Sequence, residues 1–312
     1  MNEKWLMIAN PNAATQETGA TWETYKKQLT DGGAEVDASL TAHKGHAIEL
    51  AREGAEKGYR KLIAVGGDGT IHEVMTGLLR YADATPGADL GEFTLAVIPA
   101  GTGNDWIKTA GIPEDVTEAT ACILRGNTGK EDIVRLTLDT GVFCLANIGG
   151  VALDANICYN TNALKDKGYK GSILYSLVAP YSIFSKKLRP VEIVCDGEMV
   201  YRGKLFTAVL GNGIYRGGGL QQNEAGGNWT DGLVEVSIQP GCNHFKGMSQ
   251  MMHIFKGDFA TLPGIISRRF RKMTITPLGD GKRDWVEADG EIPGTLPLTV
   301  EVTGQQINII VP

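Results

Sequence analysis

The sequence predicts an α/β amino-terminal domain, with a parallel sheet and covering helices, followed by a mainly antiparallel, sandwich-like β domain. Three observations lead there. Strand-like apolar runs alternate with helix-period segments over the first 130 residues, a pattern that favours a parallel sheet covered by helices. Beyond Lys130 the alternation gives way to strand–turn–strand patterns. Two glycine-rich turns, GGDGT at 66–70 and PAGTGND at 99–105, each follow a strand-like run, which is where sheets of this kind bind ligands.

Strands are expected at Leu6–Ala9, Glu35–Leu40, Lys61–Val65 and Thr94–Ile98. Helices are expected near Thr21–Leu29, where Trp22, Tyr25 and Leu29 share a face, at Ala47–Lys57, and at Ile71–Tyr81. Gly32 and Gly58 suit helix carboxyl ends. In the second half, Asp196-Gly197 is a two-residue hairpin signal. Further strands are expected at Leu233–Gln239, Met273–Thr276, Trp285–Ala288 and Leu298–Val311, the last broken by a turn at Thr303-Gly304. Helical inserts are expected near Ser172–Ser185 and His244–Lys256. The boundary is set at residue 130: 1–130 as the nucleotide-binding domain and 131–312 as the β-rich domain, whose last strands are free to return toward the first.

Length and composition narrow the function. A chain of 312 residues suits about two domains, each able to bury a core. A net charge of −6 disfavours nucleic acid as a partner. The first residues run straight into strand-like WLMIAN rather than a leader pattern. No apolar run reaches the roughly 20 residues of a membrane span; the longest, ILYSLVAPYSIF at 173–184, contains Pro180. Five cysteines without a CxxC pair suggest reduced thiols in a cytoplasmic protein. His43 and His46 suit a loop or helix start better than a zinc site.

Glycines at 66, 67 and 69 let backbone N–H groups approach a ligand, and the helix that follows favours an anion at its start. The turn is not a Walker A loop, since GxxxxGK[ST] is absent. Asp68 within it makes sense if a divalent cation bridges to phosphate; the alternative is a carboxylate capping the next helix. In the second turn Trp106 stands where a dinucleotide fingerprint has its third glycine. Thr102 and Asn104 offer neutral hydrogen bonds, and Asp105 a second carboxylate.

With these turns in place, the chain resembles the diacylglycerol kinase catalytic-domain family, soluble lipid kinases related to sphingosine and ceramide kinases. Six ordered motifs carry the resemblance: NPNAA at 10–14, GGDGT, PAGTGND, GNGIYRGGG at 211–219, TDGL at 230–233 and ADGE at 288–291. It implies a kinase using ATP and Mg²⁺ to phosphorylate a lipid hydroxyl, most simply that of diacylglycerol. It implies a nucleotide site formed by Asn10, Pro11, Asn12, Ala13, Ala14, Thr41, Gly66, Gly67, Asp68, Gly69, Thr70, Ile71, His72, Glu73, Thr102 and Asn104. Asp68 and Asp105 would organise metal and phosphate contacts. Asn228, Asp231 and Leu233 would hold a structural Mg²⁺, and Glu291 would be the general base.

The chain departs from the family pattern in NPNAA, which lacks Ser-Gly, and at His72, where asparagine is usual. A lipid substrate implies transient peripheral contact with the inner membrane face. Lysines 165, 167, 170, 186 and 187 with Arg189 flank the apolar 173–184 segment, and SRRFRK at 267–272 is a second basic patch. A homodimer is compatible with the chain, and the sequence leaves the oligomeric state open. The competing readings are a kinase of another lipid, phosphatidylglycerol or a sphingoid base, an NAD kinase-like enzyme, and a non-catalytic nucleotide- or lipid-binding protein.

Overall fold

The computed structural model describes residues 2–11, 21–101, 103–165, 167–169, 173–222, 229–279 and 281–312. The amino-terminal half runs β1 (Asn2–Ala9), α1 (Trp22–Asp31), β2 (Val36–Leu40), α2 (His46–Glu56), β3 (Tyr59–Gly66), α3 (Asp68–Ala84), β4 (Thr94–Pro99), α4 (Asp105–Ala110) and α5 (Val116–Arg125). β2, β1, β3 and β4 lie side by side, all parallel. Their side chains alternate between two cores, as strand geometry requires. Leu6, Ile8, Leu62, Ala64, Leu95 and Val97 pack under α2 and α3, whereas Trp5, Met7, Ile63, Val65, Ala96 and Ile98 pack under α1 and α5.

The second half contains β5 (Thr128–Leu138), β6 (Gly141–Leu145), β7 (Ile148–Ala152), α6 (Leu153–Lys165), α7 (Ile173–Ser185), β8 (Arg189–Cys195), β9 (Glu198–Gly211) and the short hairpin β10 (Tyr215–Arg216) and β11 (Leu220–Gln221). Then follow β12 (Val234–Pro240), α8 (His244–Met251), β13 (Ile266–Phe270), β14 (Lys272–Pro277), β15 (Trp285–Ala288), β16 (Glu291–Thr295) and β17 (Leu298–Ile310). Apart from one parallel contact of β17, pairing here is antiparallel, around a core of Val134, Leu136, Val151, Ile193, Leu210, Val236, Phe270, Ile275 and Val300. The α/β-plus-β fold class is therefore the one the sequence predicts.

Two hydrogen-bonded sheets in sequence are one in space. β17 pairs antiparallel with β5 and β14, and its far end pairs parallel with β4 through Asn308 and Ile309. The expected break at Thr303-Gly304 is instead an irregularity in one continuous strand: the register against β5 shifts between Val302 and Gln306, with Gly304 at φ +77°. Three helices, α4, α5 and α6, were absent from the sequence expectation. Asp196-Gly197 forms the expected hairpin, with both residues at positive φ.

Among the described residues no helix is long and apolar enough to cross a membrane. Two of the basic residues flanking α7 are already engaged: Lys186 is buried on Asp284 at 3.0 Å, and the partly exposed Arg189 meets the same carboxylate at 2.6 Å.

Candidate active site

Both glycine turns open at the carboxyl edge of the parallel sheet. Gly67 precedes α3 and Asn104, at φ +49°, precedes α4. The Asn104 side chain closes its own loop, accepting from Gly101 N–H at 3.1 Å and donating to Gly101 C=O at 3.0 Å. The two turns touch backbone to backbone: a Cβ on Gly101 would lie 2.4 Å from Gly67 Cα. No other residue type allows that approach.

Carboxylates lock these turns to their neighbours. Asp68 accepts from Asp105 N–H at 3.1 Å and Trp106 N–H at 2.8 Å, capping α4 from outside. Asp105 accepts from Gly218 N–H at 2.8 Å and Gly219 N–H at 2.6 Å. Those amides point at it because Gly217, Gly218 and Gly219 have φ of +59°, +90° and +104°, a run that side-chain-bearing residues rarely adopt. Arg216, paired with both oxygens of Asp154 and bonded to Gln222, anchors the hairpin that carries the glycines. Burial pushes the Asp68 carboxyl above its usual range, opposed by the Trp106 and Asp105 amides and reinforced by the Asp105 charge. Asp68 Oδ2 and Asp105 Oδ2 lie 3.3 and 3.5 Å from where a Gly103 Cβ would sit. Both carboxylates thus border the space over Gly103, oxygen donors of the kind Mg²⁺ takes, and Lys108 Nζ lies 3.6 Å from Asp105 Oδ1 beside them.

Glu291 meets this cradle from the second half. A Cβ on Gly69, in the first turn of α3, would lie 2.9 Å from Glu291 Oε1, and Lys44 forms an ion pair with Oε2. The Asp289-Gly290 turn behind it is held on every side. Asp289 accepts from Ala146 N–H at 3.0 Å and Asn147 N–H at 2.8 Å, and stands 3.0 Å from His72 Nδ1. Gly290 N–H donates to Glu287 at 2.7 Å, while Gly290 C=O accepts from Asn162 at 3.0 Å and Cys158 Sγ at 3.1 Å. Burial raises the Glu287 carboxyl to about 8, helped by the Asp154 charge and opposed by the Gly290 amide. Burial likewise pushes the Cys158 thiol well up.

The Asp231 turn is arranged differently. Asp231 accepts from Leu233 N–H at 3.0 Å and pairs with Arg269, and Gly232 N–H donates to the buried Asp132 at 2.7 Å. Arg269 thus occupies Oδ2 of the carboxylate expected to hold a structural Mg²⁺.

The remaining expected residues fall as follows. Asn10 and Thr41 lie at the ends of β1 and β2, where their amides bond to Val65 C=O at 3.2 Å and Ala9 C=O at 2.9 Å. Thr70 packs under Gly66. Ile71 is core, so only its backbone is available to a ligand. His72 is 3% exposed and turned to Asp289. Glu73 bridges Gly45 N–H at 2.8 Å and Ala47 N–H at 3.1 Å at the start of α2. Pro11 borders a small cleft with Trp22 and Tyr25. Asn12, Ala13, Ala14, Thr102 and Asn228 lie outside the described residues. Sequence reasoning missed Lys44, Asp132, Arg216 and Glu287 as neighbours of the site. Lys44 stood three residues past Thr41 and Arg216 inside GNGIYRGGG, the only signals that pointed to them.

Comparison with known proteins agrees with this geometry. Residues 4–136 match the family model of the diacylglycerol kinase catalytic domain, and residues 149–311 that of the YegS C-terminal NAD kinase beta sandwich-like domain. The chain belongs to the diacylglycerol kinase and YegS lipid kinase family. It is 27% identical to the diacylglycerol kinase of Bacillus subtilis over 300 residues, covering 93% of this chain and 92% of that one. It is 31% identical over 214 residues to a Citrobacter koseri protein named "Probable lipid kinase YegS-like", covering 68% and 67%. A crystal structure of a diacylglycerol kinase from Bacillus anthracis superposes with TM-score 0.66 at 21% identity, covering 99% of this chain and 97% of that one. An NAD kinase from Archaeoglobus fulgidus in complex with ATP gives TM-score 0.51 at 14% identity, covering 98% and 93%. The last two show the fold; the kinase assignment rests on the family.

Proposed function

We propose that this lipid kinase transfers the γ-phosphate of ATP to the hydroxyl of diacylglycerol, giving phosphatidic acid, with Glu291 as general base. The observation that carries this reading is Glu291 beside Gly69, at the helix start where the glycine turns would receive phosphate. First-turn amides of α3 and the Gly67–Gly101 contact form the cradle. Asp68 and Asp105 would hold Mg²⁺, which supplies charge neutralisation on the phosphate oxygens when bound. Glu291 takes the hydroxyl proton as the lipid oxygen forms its bond to phosphorus and the bond to the departing ADP oxygen breaks. Lys44 pairs with Glu291 Oε2 while Oε1 rests against Gly69 at the start of α3. The remaining nucleotide contacts are those expected of Asn10, Thr41 and Glu73 and their neighbours.

The lipid must be reached in a membrane. Tyr181 and Phe184 of α7 and Phe245 of α8 are 66%, 51% and 72% exposed, and the Phe184 and Phe245 rings meet at 6.1 Å. Exposed Lys187 and Lys246 flank them. Apolar rings with basic neighbours suit an anionic lipid surface, so this face is assigned to transient docking on the inner membrane.

Label transfer from Mg-ATP into diacylglycerol mixed micelles tests the reading. Wild type should make phosphatidic acid, and Glu291→Gln should lose at least about 100-fold in kcat. An unaffected Glu291→Gln would remove the base, and label appearing only in phosphatidylglycerol or a sphingoid base would change the substrate.

A further inference from the structure

His72 is the seventh residue of GGDGTIHE, four residues past Asp68 at the start of α3, and its side chain is turned to Asp289. Its Nδ1 lies 3.0 Å from Asp289 Oδ2, with the two side chains 3% and 1% exposed. The same oxygen already accepts from Ala146 N–H at 3.0 Å. Oδ1 likewise accepts from Asn147 N–H at 2.8 Å, so both carboxylate oxygens act as acceptors and the ring nitrogen facing them is read as the donor. Asp289 is in turn fixed to the link between β6 and β7 by Asn147 N–H, and its own N–H donates to Ile148 C=O at 2.9 Å.

These contacts differ in what they join. The bonds from Ala146, Asn147, Glu287, Cys158 and Asn162 tie the turn to other parts of the second half. His72 ties it to α3, three residues along from the Gly69 against which Glu291 rests. Helix and turn come from opposite ends of the sequence, 217 residues apart at this bond. α3 is joined to β6 as well, with Thr76 Oγ1 accepting from Cys144 N–H at 3.0 Å and Arg80 donating to Val142 C=O at 2.9 Å, but His72 makes the direct bond from α3 to the turn that carries Glu291.

We propose that His72 is a positioning residue: its Nδ1–H bond to Asp289 sets the spacing between Glu291 and the start of α3. The proposal rests on the reading of Glu291 as base. Transfer rates fall steeply when reacting groups are misplaced by about an ångström, whereas nucleotide binding, made by other residues, does not depend on that spacing.

His72→Phe fills the space without a donor, His72→Ala empties it, and His72→Asn restores a donor. The three are assayed beside Glu291→Gln for kcat, KM for ATP and thermal midpoint. His72→Phe and His72→Ala should lower kcat by about 10- to 100-fold with KM for ATP within about three-fold, and His72→Asn should recover most of the loss. Full kcat in His72→Phe or His72→Ala beside an inactive Glu291→Gln would overturn the latch and leave the base intact. Active Glu291→Gln would instead remove the base, whatever the His72 series shows. No recovery in His72→Asn would also overturn the proposal. Should the Phe and Ala variants fail to fold, long-range ¹H–¹⁵N spectra of the wild-type protein decide it. The Nδ1–H tautomer at His72 is required, and an Nε2–H tautomer overturns it.

Discussion

Two Asp-Gly turns that look alike in the sequence, at Asp231 and at Asp289, are built to opposite standards. Asp289 is 6% exposed and holds two backbone amides and a histidine, while Gly290 is bonded through both its N–H and its C=O. Asp231 holds one local amide and an arginine whose side chain is 41% exposed. The difference lies in what surrounds each dipeptide. β15 and β16 push their turn into the seam between the two halves, where every polar group must be bonded. The Asp231 turn precedes β12 and keeps contact with solvent, so its one strong partner is a flexible side chain.

Substitutions can break or sharpen that contrast. Asp289→Ala strands the Ala146 and Asn147 amides and His72 without their acceptor, and should cost about 3 kcal/mol or more in urea unfolding, with loss of turnover. Gly101→Ala forces a Cβ toward Gly67 Cα where backbone meets backbone, so about 1–3 kcal/mol and a clear loss of ATP affinity are expected by calorimetry. Glu287 gives a pH signature. Its folded value of about 8 stands above the ordinary 4.5, so the folded state keeps a proton that the unfolded chain releases. The stabilisation is complete below about pH 4.5 and is lost as pH rises through about 8. Glu287→Gln should flatten stability measured across that window. Arg269→Ala should be smallest, under about 1 kcal/mol and smaller still in high salt. A loss as large as that of Asp289→Ala would erase the contrast.

The sequence made legible those features that depend on nearby residues. Helices α1 to α3 and strands β1 to β4 were placed within a few residues, because each has a regular apolar period. α4 has six residues, too few to display a period, and α6 buries Asp154 and Thr161 beside Leu153 and Ala155, which blurs its stripe. Gly304 reads as a turn because positive φ usually means one; here β5 continues alongside and holds the strand together. The site divides in the same way. GGDGT and PAGTGND are turns with their chemistry in one segment, so spacing exposes them. Lys44 on Glu291 and His72 on Asp289 are pairs from distant segments, and no local pattern marks the pairing itself.

The final strand has a consequence for how this chain is made. β4 has no hydrogen-bonding neighbour on one side until Asn308 and Ile309 arrive beside it. The amino-terminal sheet therefore takes its outer neighbour at Thr94 and Leu95 from a strand that follows the whole β-rich half. Until that strand is in place, the edge at Thr94 and Leu95 is open to pairing with another copy of the chain. Folding of the first half is thereby coupled to that of the second through one short parallel contact.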